Sequence, residues 1–168
     1  MKKGYRTIVA VVSLFLLVLI DQVTKFAAVK CLKGKEAFSL IPGVFELQYL
    51  ENRGAAFGAL QNQRWFFILI VIFVLAVLLW CFIRFPKEAH YRPLAVLAVF
   101  IAAGAIGNMI DRLLNGYVID FLYFSLIDFP IFNVADCYVV IACILFVVLI
   151  LFYYKDDKDF EFLNFKNR

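Results

Sequence analysis

The chain has 168 residues, of which 65% are hydrophobic, and its mean hydropathy is +0.89. A water-soluble domain does not need so large an apolar fraction, so the composition places the protein among integral membrane proteins. The net charge is only +4. Since no basic face with interleaved aromatic residues stands outside the apolar segments, we expect no nucleic-acid partner.

Four apolar segments are predicted to cross the membrane as helices. In chain order they are residues 7–29, 65–83, 93–110 and 137–154. The second and fourth are uninterrupted apolar runs close to the ~20 residues that cross ~30 Å of hydrocarbon. The third begins at Pro93, which suits the first turn of a helix. No small-residue cleavage site follows the first, so we expect a retained helix and not a cleaved signal peptide.

Basic residues in the connections predict the orientation. Residues 1–6, 84–92 and 155–168 hold ten Lys and Arg in 29 positions, whereas residues 30–64 and 112–136 hold six in 60. The positive-inside rule therefore places both termini in the cytoplasm. We expect a single membrane-embedded domain over the whole chain, with residues 155–168 as a solvated cytoplasmic tail.

The extracytoplasmic connections carry strand patterns. Residues 44–51 alternate apolar and polar side chains after a Pro-Gly turn, which predicts a small strand pair. Residues 117–124 are rich in β-branched and aromatic residues and predict a further strand, with Asp120 in its middle. Residues 55–60 could form a short amphipathic helix on the membrane surface.

Several polar residues close to the hydrocarbon have a structural explanation as well as a functional one. Asp21 and Lys25 stand one helical turn apart and could form an intrahelical ion pair. Asn133 could cap the fourth span, with Asp136 as an acid in its first turn. Gly107, like Gly104, is interpreted as a point of close helix packing.

The chemistry predicted from these residues is that of paired carboxylates. Ionisable groups beside hydrocarbon are costly, and two carboxyl groups that share a proton can activate water against an amide bond. The candidates are Asp111, Asp120, Asp128 and Asp136, and the residues alone leave open which two would form the pair.

Other catalytic mechanisms need residues that the sequence lacks or that lie far from the polar cluster. The single histidine, His90, lies in a predicted cytoplasmic loop, which argues against a histidine-based triad or zinc site. A Ser–Lys dyad of Lys25 with Ser39 or Ser125 remains possible on paper. A small proton-coupled transporter and a non-catalytic assembly factor are the alternatives from other classes.

Five ordered motifs resemble those of the bacterial lipoprotein signal peptidases, the signal peptidase II family. They are Asp21-Gln-Val-Thr-Lys25, Asn52-Arg-Gly-Ala-Ala-Phe-Gly58, Gly107-Asn-Met-Ile-Asp-Arg112, Val118-Ile-Asp-Phe121 and Phe132-Asn-Val-Ala-Asp136. The resemblance implies an all-α, four-span membrane protein with a small extracytoplasmic β-cradle and a short surface helix.

The resemblance also implies site residues and a reaction. Asp120 and Asp136 would be the catalytic dyad, and seven residues would bind substrate or support the site: Asp21, Lys25, Asn52, Gly54, Asn108, Arg112 and Asn133. The enzyme would be an aspartic endopeptidase of the bacterial cytoplasmic membrane that cleaves prolipoproteins on the amino side of a diacylglyceryl-modified cysteine. Its active site would face outward, it would use no metal or cofactor, and we expect a monomer in contact with membrane lipids.

Overall fold

Four long helices alternate in direction and carry a small sheet at one end. In the computed structural model, residues 3–54 and 63–163 are described. The helices are α1 (Lys3–Leu32), α2 (Arg64–Arg84), α3 (Arg92–Leu114) and α4 (Val134–Phe152). Within the described residues these are the four helices long and apolar enough to cross a membrane, which confirms the predicted spans. The predicted surface helix at residues 55–60 lies outside the described residues.

The sheet has three antiparallel strands in the order β1 (Phe38–Ile41), β2 (Phe45–Asn52) and β3 (Val118–Tyr123). The alternation in residues 44–51 therefore marks β2, and the strand predicted at 117–124 is β3. Strand β1 had no bounds predicted, because four residues are too few to show a period. Its partner across the turn is β2, with Phe38 opposite Leu47.

The sheet is fastened to the helices at two places. Residues of α1 and β3 share a buried cluster formed by Ala28, Leu32, Ile119 and Phe121. Beyond β3 the chain turns back, and Phe132 pairs with Leu122 through main-chain hydrogen bonds of 2.8 and 2.9 Å. This bridge sets the first residues of α4 beside β3.

A second cluster closes the opposite end of the bundle. Phe85 and Tyr91, between α2 and α3, are buried there against Tyr154. The tail was predicted to be solvated, but Phe160 and Phe162 pack on this cluster, and the centre of the Phe162 ring lies 5.6 Å from that of Phe85. Partial burial of these two aromatic side chains explains the return of the tail.

Candidate active site

Asp120 and Asp136 come together where β3 meets the start of α4. Asp120 is the third residue of β3 and 1% exposed, and Asp136 is the third residue of α4. Asn133, directly before α4, contacts both carboxylates. Its main-chain N–H donates to Asp136 Oδ2 at 3.1 Å, and its Nδ2 donates to Asp120 Oδ1 at 2.6 Å. One residue therefore orients the two carboxyl groups relative to each other.

The two remaining carboxylate oxygens also accept amide hydrogens. Asn52 Nδ2 donates to Asp120 Oδ2 and Asn108 Nδ2 donates to Asp136 Oδ1, both at 2.8 Å. The register explains the first contact, because Leu50 lies opposite Asp120 and Asn52 follows it on the same face of the sheet. Each of the four oxygens thus receives one N–H and keeps a lone pair for water or substrate.

The orientations of the three asparagine amides are fixed by their other contacts. The Oδ1 atom of Asn52 accepts from the main-chain N–H of Gly54 at 3.0 Å. The Oδ1 atom of Asn133 accepts from the main-chain N–H of Asp136, which completes a capping box. The Oδ1 atom of Asn108 accepts from Lys25 Nζ at 2.8 Å. All three NH₂ groups must therefore point as described.

Burial in this position raises the pKa of the Asp120 carboxyl group. Desolvation, followed by the negative charge of Asp136, raises the pKa of the Asp120 carboxyl from 3.8 to about 7. Hydrogen bonds from Asn52 and Asn133 and the charge of Lys25 oppose this rise. Near neutral pH the Asp120 carboxyl can therefore retain a proton while it lies beside a second carboxylate.

A charged cluster lies behind the dyad, between α1 and α3. Lys25 Nζ lies 3.0 Å from Asp21 Oδ2 and 2.9 Å from Asp111 Oδ2, and all three side chains are at most 3% exposed. The intrahelical ion pair predicted for Asp21 and Lys25 is confirmed, and it is part of a larger network. Lys25 Nζ contacts Asp21, Asp111 and Asn108. Ser39 is exposed on β1 and Ser125 Oγ has no hydrogen-bond partner among the described residues, so these residues form no Ser–Lys dyad.

Arg112 joins α3 to the connection that follows β2. Its Nη2 donates to the Gly54 carbonyl at 3.2 Å, and its guanidinium lies 4.7 Å from the centre of the Phe67 ring on α2. Arg112 thereby holds the Gly54 backbone against the helix bundle. Gly54 itself is buried.

A cleft of about 1170 Å³ opens over the dyad. Its polar lining includes six of the nine predicted site residues: Asn52, Gly54, Asn108, Arg112, Asp120 and Asp136. Most of its apolar lining comes from the segment after β3 and from α4, with Leu50 and Val118 added by the sheet: Phe124, Ile127, Phe129, Ile131, Phe132, Val140 and Ile141. A space of this size exceeds that of a typical small-molecule site and suits a peptide with apolar side chains.

The other three predicted residues, Asp21, Lys25 and Asn133, lie behind the cleft within the same network. Of the remaining candidates, Asp128 lies exposed at the cleft edge, where it accepts from the Tyr123 hydroxyl at 2.7 Å. His90 lies at the opposite end of the bundle, against Asp159. The roles of these residues remain predictions, whereas their placement is observed.

Two members of the network were missing from the predicted site. Asp111 was named only as one of four candidates for the catalytic pair. The signal that could have found it is its spacing, because Asp111 lies on the same helix face as Asn108 and Arg112. Gln22 carried no signal, because its Nε2 reaches from α1 to Asp111 Oδ1 on α3, at 3.2 Å, as well as to Asp21 Oδ2 on its own helix, at 3.1 Å.

Comparison with known proteins gives a consistent result. A family model described as signal peptidase (SPase) II matches residues 13–152. The lipoprotein signal peptidases of Streptococcus pyogenes serotype M5 (strain Manfredo) and serotype M18 (strain MGAS8232) are each 44% identical over 138 residues, covering 82% of this chain and 90% of theirs.

Solved structures resemble the fold as well. A bacterial membrane enzyme determined by the in meso method at 2.3 Å resolution superposes with a TM-score of 0.78 and 35% identity, covering 89% of this chain and 92% of its own. A second such structure, at 1.9 Å resolution, gives a TM-score of 0.75 at 35% identity, covering 86% and 94%.

Proposed function

Because the chain belongs to the signal peptidase II family, we propose that it is a membrane-embedded aspartic endopeptidase that removes signal peptides from prolipoproteins. The observation that carries the proposal is the Asp120–Asp136 pair, joined through Asn133 at the base of a large cleft. The charge of Asp136 contributes to the raised pKa of Asp120, and two carboxyl groups coupled in this way favour a state in which one is protonated and the other ionised, which supplies an acid and a base together.

The chemistry follows from the different surroundings of the two carboxyl groups. Asp136, as the ionised member, takes a proton from a water held between the pair, and that water attacks the carbonyl carbon of the scissile bond. Asp120, whose pKa is raised to about 7, donates its proton toward the carbonyl oxygen as negative charge develops there. Collapse of the tetrahedral intermediate breaks the C–N bond, and the proton taken up by Asp136 passes to the leaving amine. As the carbonyl group re-forms, one hydroxyl proton of the intermediate returns to Asp120, which restores the starting state of the pair.

The surrounding residues bind the peptide in an extended form. A peptide in a low-dielectric cleft must have its amide groups paired. Asn52, Gly54 and Arg112 stand at the cleft wall and supply the polar groups for this pairing. The cut lies on the amino side of the diacylglyceryl-modified cysteine, and the acyl chains hold that cysteine at the height of the dyad.

The proposal includes a topology. The end of the bundle that carries the sheet faces outward, the sheet acts as a cradle for the substrate, and both termini lie in the cytoplasm of the bacterium. The chain acts as one domain and as a monomer within the cytoplasmic membrane. The excess of Lys and Arg at the opposite end supports this orientation.

The decisive experiment replaces each aspartate by its amide. Asp120→Asn and Asp136→Asn preserve side-chain size but remove the exchangeable proton and the charge, so each should abolish cleavage of a lipidated precursor, read as two products by mass. Both variants should still insert into the membrane and bind precursor. Asp128→Asn, whose amide oxygen can still accept from Tyr123, is the matched control and should retain most activity. Substantial cleavage by either dyad variant would refute the aspartic mechanism.

A further inference from the structure

We infer that Lys25 is a positioning residue which, with Asp21 and Asp111, sets the separation of the two dyad carboxylates. The inference rests on the proposed function for its catalytic meaning. Its evidence is a second pair of carboxylates behind the dyad, bridged by one ammonium group.

Each carboxylate of this second pair holds the backbone next to one member of the dyad. Asp21 Oδ1 accepts the main-chain N–H of Ala135 at 2.9 Å, and Asp111 Oδ2 accepts that of Ile119 at 3.1 Å. Ala135 and Ile119 are the residues that directly precede the two dyad aspartates. The distance between the rear carboxylates therefore controls the distance between the strand and the helix that carry the dyad.

Lys25 holds the rear pair together. Its ammonium group lies within 3.0 Å of both carboxylates, which would otherwise repel each other in a site shielded from water. Gln22 Nε2 spans the same two side chains from a second direction. A longer or shorter bridge would shift β3 relative to α4.

The same ammonium group also reaches the dyad through a side chain. Its third N–H goes to Asn108 Oδ1, which turns the Asn108 amide so that Nδ2 donates to Asp136 Oδ1 at 2.8 Å. Asn133 Nδ2 donates to the same Asn108 Oδ1 at 3.1 Å, so Lys25 and Asn133 together orient this amide. Lys25 thus acts on the position of the dyad through two backbone contacts and one side-chain contact.

The competing explanation is that Lys25 only neutralises buried charge. One cation between two carboxylates leaves a formal charge of −1, so neutralisation is incomplete. The two explanations differ for a variant that keeps this net charge but removes the bridge. Lys25→Met combined with Asp111→Asn leaves Asp21 as the one charged group, again −1, and avoids the two unpaired buried carboxylates that could prevent Lys25→Met alone from folding.

The experiment measures kcat and KM of this double variant with lipidated precursor. We expect the double variant to fold with a lowered melting temperature, since Asp21 stays buried without its cation. Assayed below that temperature, it should show a KM within about threefold of the wild-type value and a kcat lower by about a hundredfold, because a displacement of about 1 Å costs that much. Lys30→Met is the matched control, since Lys30 is an exposed lysine on the same helix, and it should retain wild-type kcat. A double variant with wild-type kcat, or one altered in KM alone, would overturn the inference.

Hydrogen exchange at the Ala135 amide provides a readout that does not depend on catalysis. Asp21 is unchanged in the double variant, so a mere countercharge role predicts unchanged protection of this amide. Loss of the bridge should instead free Asp21 and speed exchange at Ala135 at least tenfold, and unchanged protection would contradict the inference. Absence of precursor cleavage by the wild type would refute the proposed function and leave this comparison interpretable.

Discussion

At the scale of single residues, Asn133 combines a structural and a chemical role. Its side-chain oxygen caps α4, and its side-chain nitrogen donates to Asp120 and to Asn108. The capping interpretation made from the sequence is confirmed, but it accounts only for the side-chain oxygen and not for the contacts of the side-chain nitrogen. Because the two functions use different atoms, substitution can separate them.

Asn133→Ser and Asn133→Ala form a matched pair for this purpose. Serine is a good N-cap but lacks the Nδ2 donor, so stability should stay near the wild-type value. The kcat should fall about ten- to hundredfold, because the hydrogen bond that orients the Asp120 carboxyl group is lost. Alanine should show the same loss of kcat and an additional loss of about 1 kcal/mol in the free energy of unfolding. Activity assays and denaturation in detergent test both values, and wild-type kcat in Asn133→Ser would exclude the chemical role.

The raised pKa of Asp120 predicts the pH dependence. The proposed active form has Asp120 protonated, so kcat/KM should fall as the pH rises through about 7. The free energy of unfolding should change with pH in the same direction. Because the pKa of Asp120 in the folded protein exceeds the unfolded value of 3.8, its stabilising contribution is complete below about pH 4 and is lost as the pH rises to about 7. A pH series of initial rates tests the first statement. A rate independent of pH from 6 to 9 would contradict it.

At the scale of elements, glycines allow the helices around the site to approach closely. A Cβ atom on Gly104 would meet the Ala135 carbonyl oxygen and would lie 2.6 Å from Val139 Cγ2, both on α4. A Cβ atom on Gly107 would meet the Asp21 carboxylate. The packing role inferred from the sequence is therefore confirmed, and at Gly107 it includes a member of the charged network.

Alanine substitutions should distinguish the two glycines. Gly104→Ala and Gly107→Ala should each lower the free energy of unfolding by about 1–3 kcal/mol through overpacking. Gly107→Ala should also lower kcat beyond what the stability loss explains, because it displaces Asp21. Gly4→Ala is the control, since among the described residues no atom beyond its chain neighbours lies within 4 Å of a Cβ atom there. Equal activity of the Gly104 and Gly107 variants, at temperatures where both are folded, would contradict the special role of Gly107.

At the scale of the whole molecule, polar contacts differ between the two ends of the bundle. The end with the sheet carries the cleft, the dyad and the buried charge cluster. At the other end, Arg6 donates to the carbonyl groups of Phe82, Phe85 and Pro86 and so satisfies the last turn of α2. The proposed topology places the first end outside the cell and the second in the cytoplasm.

Thiol labelling can test this topology in intact cells. Cys31 is exposed at the sheet end of α1, and Lys87 is exposed at the opposite end. In a background with Cys137→Ser, a membrane-impermeant maleimide should label Cys31 from outside. The partner variant, Lys87→Cys with Cys31→Ser, should be labelled only after the membrane is opened. The reverse pattern would invert the topology.

The sequence by itself determined the four spans and the two longer strands, because hydropathy and side-chain alternation are local properties of consecutive residues. It also marked Asp21, Lys25 and Asn133 as polar groups close to the hydrocarbon. The sequence did not predict the bounds of β1. It also did not identify which two of the four candidate aspartates form the dyad, and only the family resemblance indicated Asp120 and Asp136.

The tertiary structure decided which of these groups meet. Asn52 reaches Asp120 through strand register, Asn133 reaches it through a turn, and Gln22 reaches Asp111 across two helices. These contacts join residues 13 to 89 positions apart. A periodic pattern of neighbouring residues cannot predict contacts between residues so far apart in the chain, since these contacts depend on how the helices and the sheet pack. The same packing adds Asp111 to the Asp21–Lys25 pair that the spacing had predicted, a contact between helices that no local spacing could reveal.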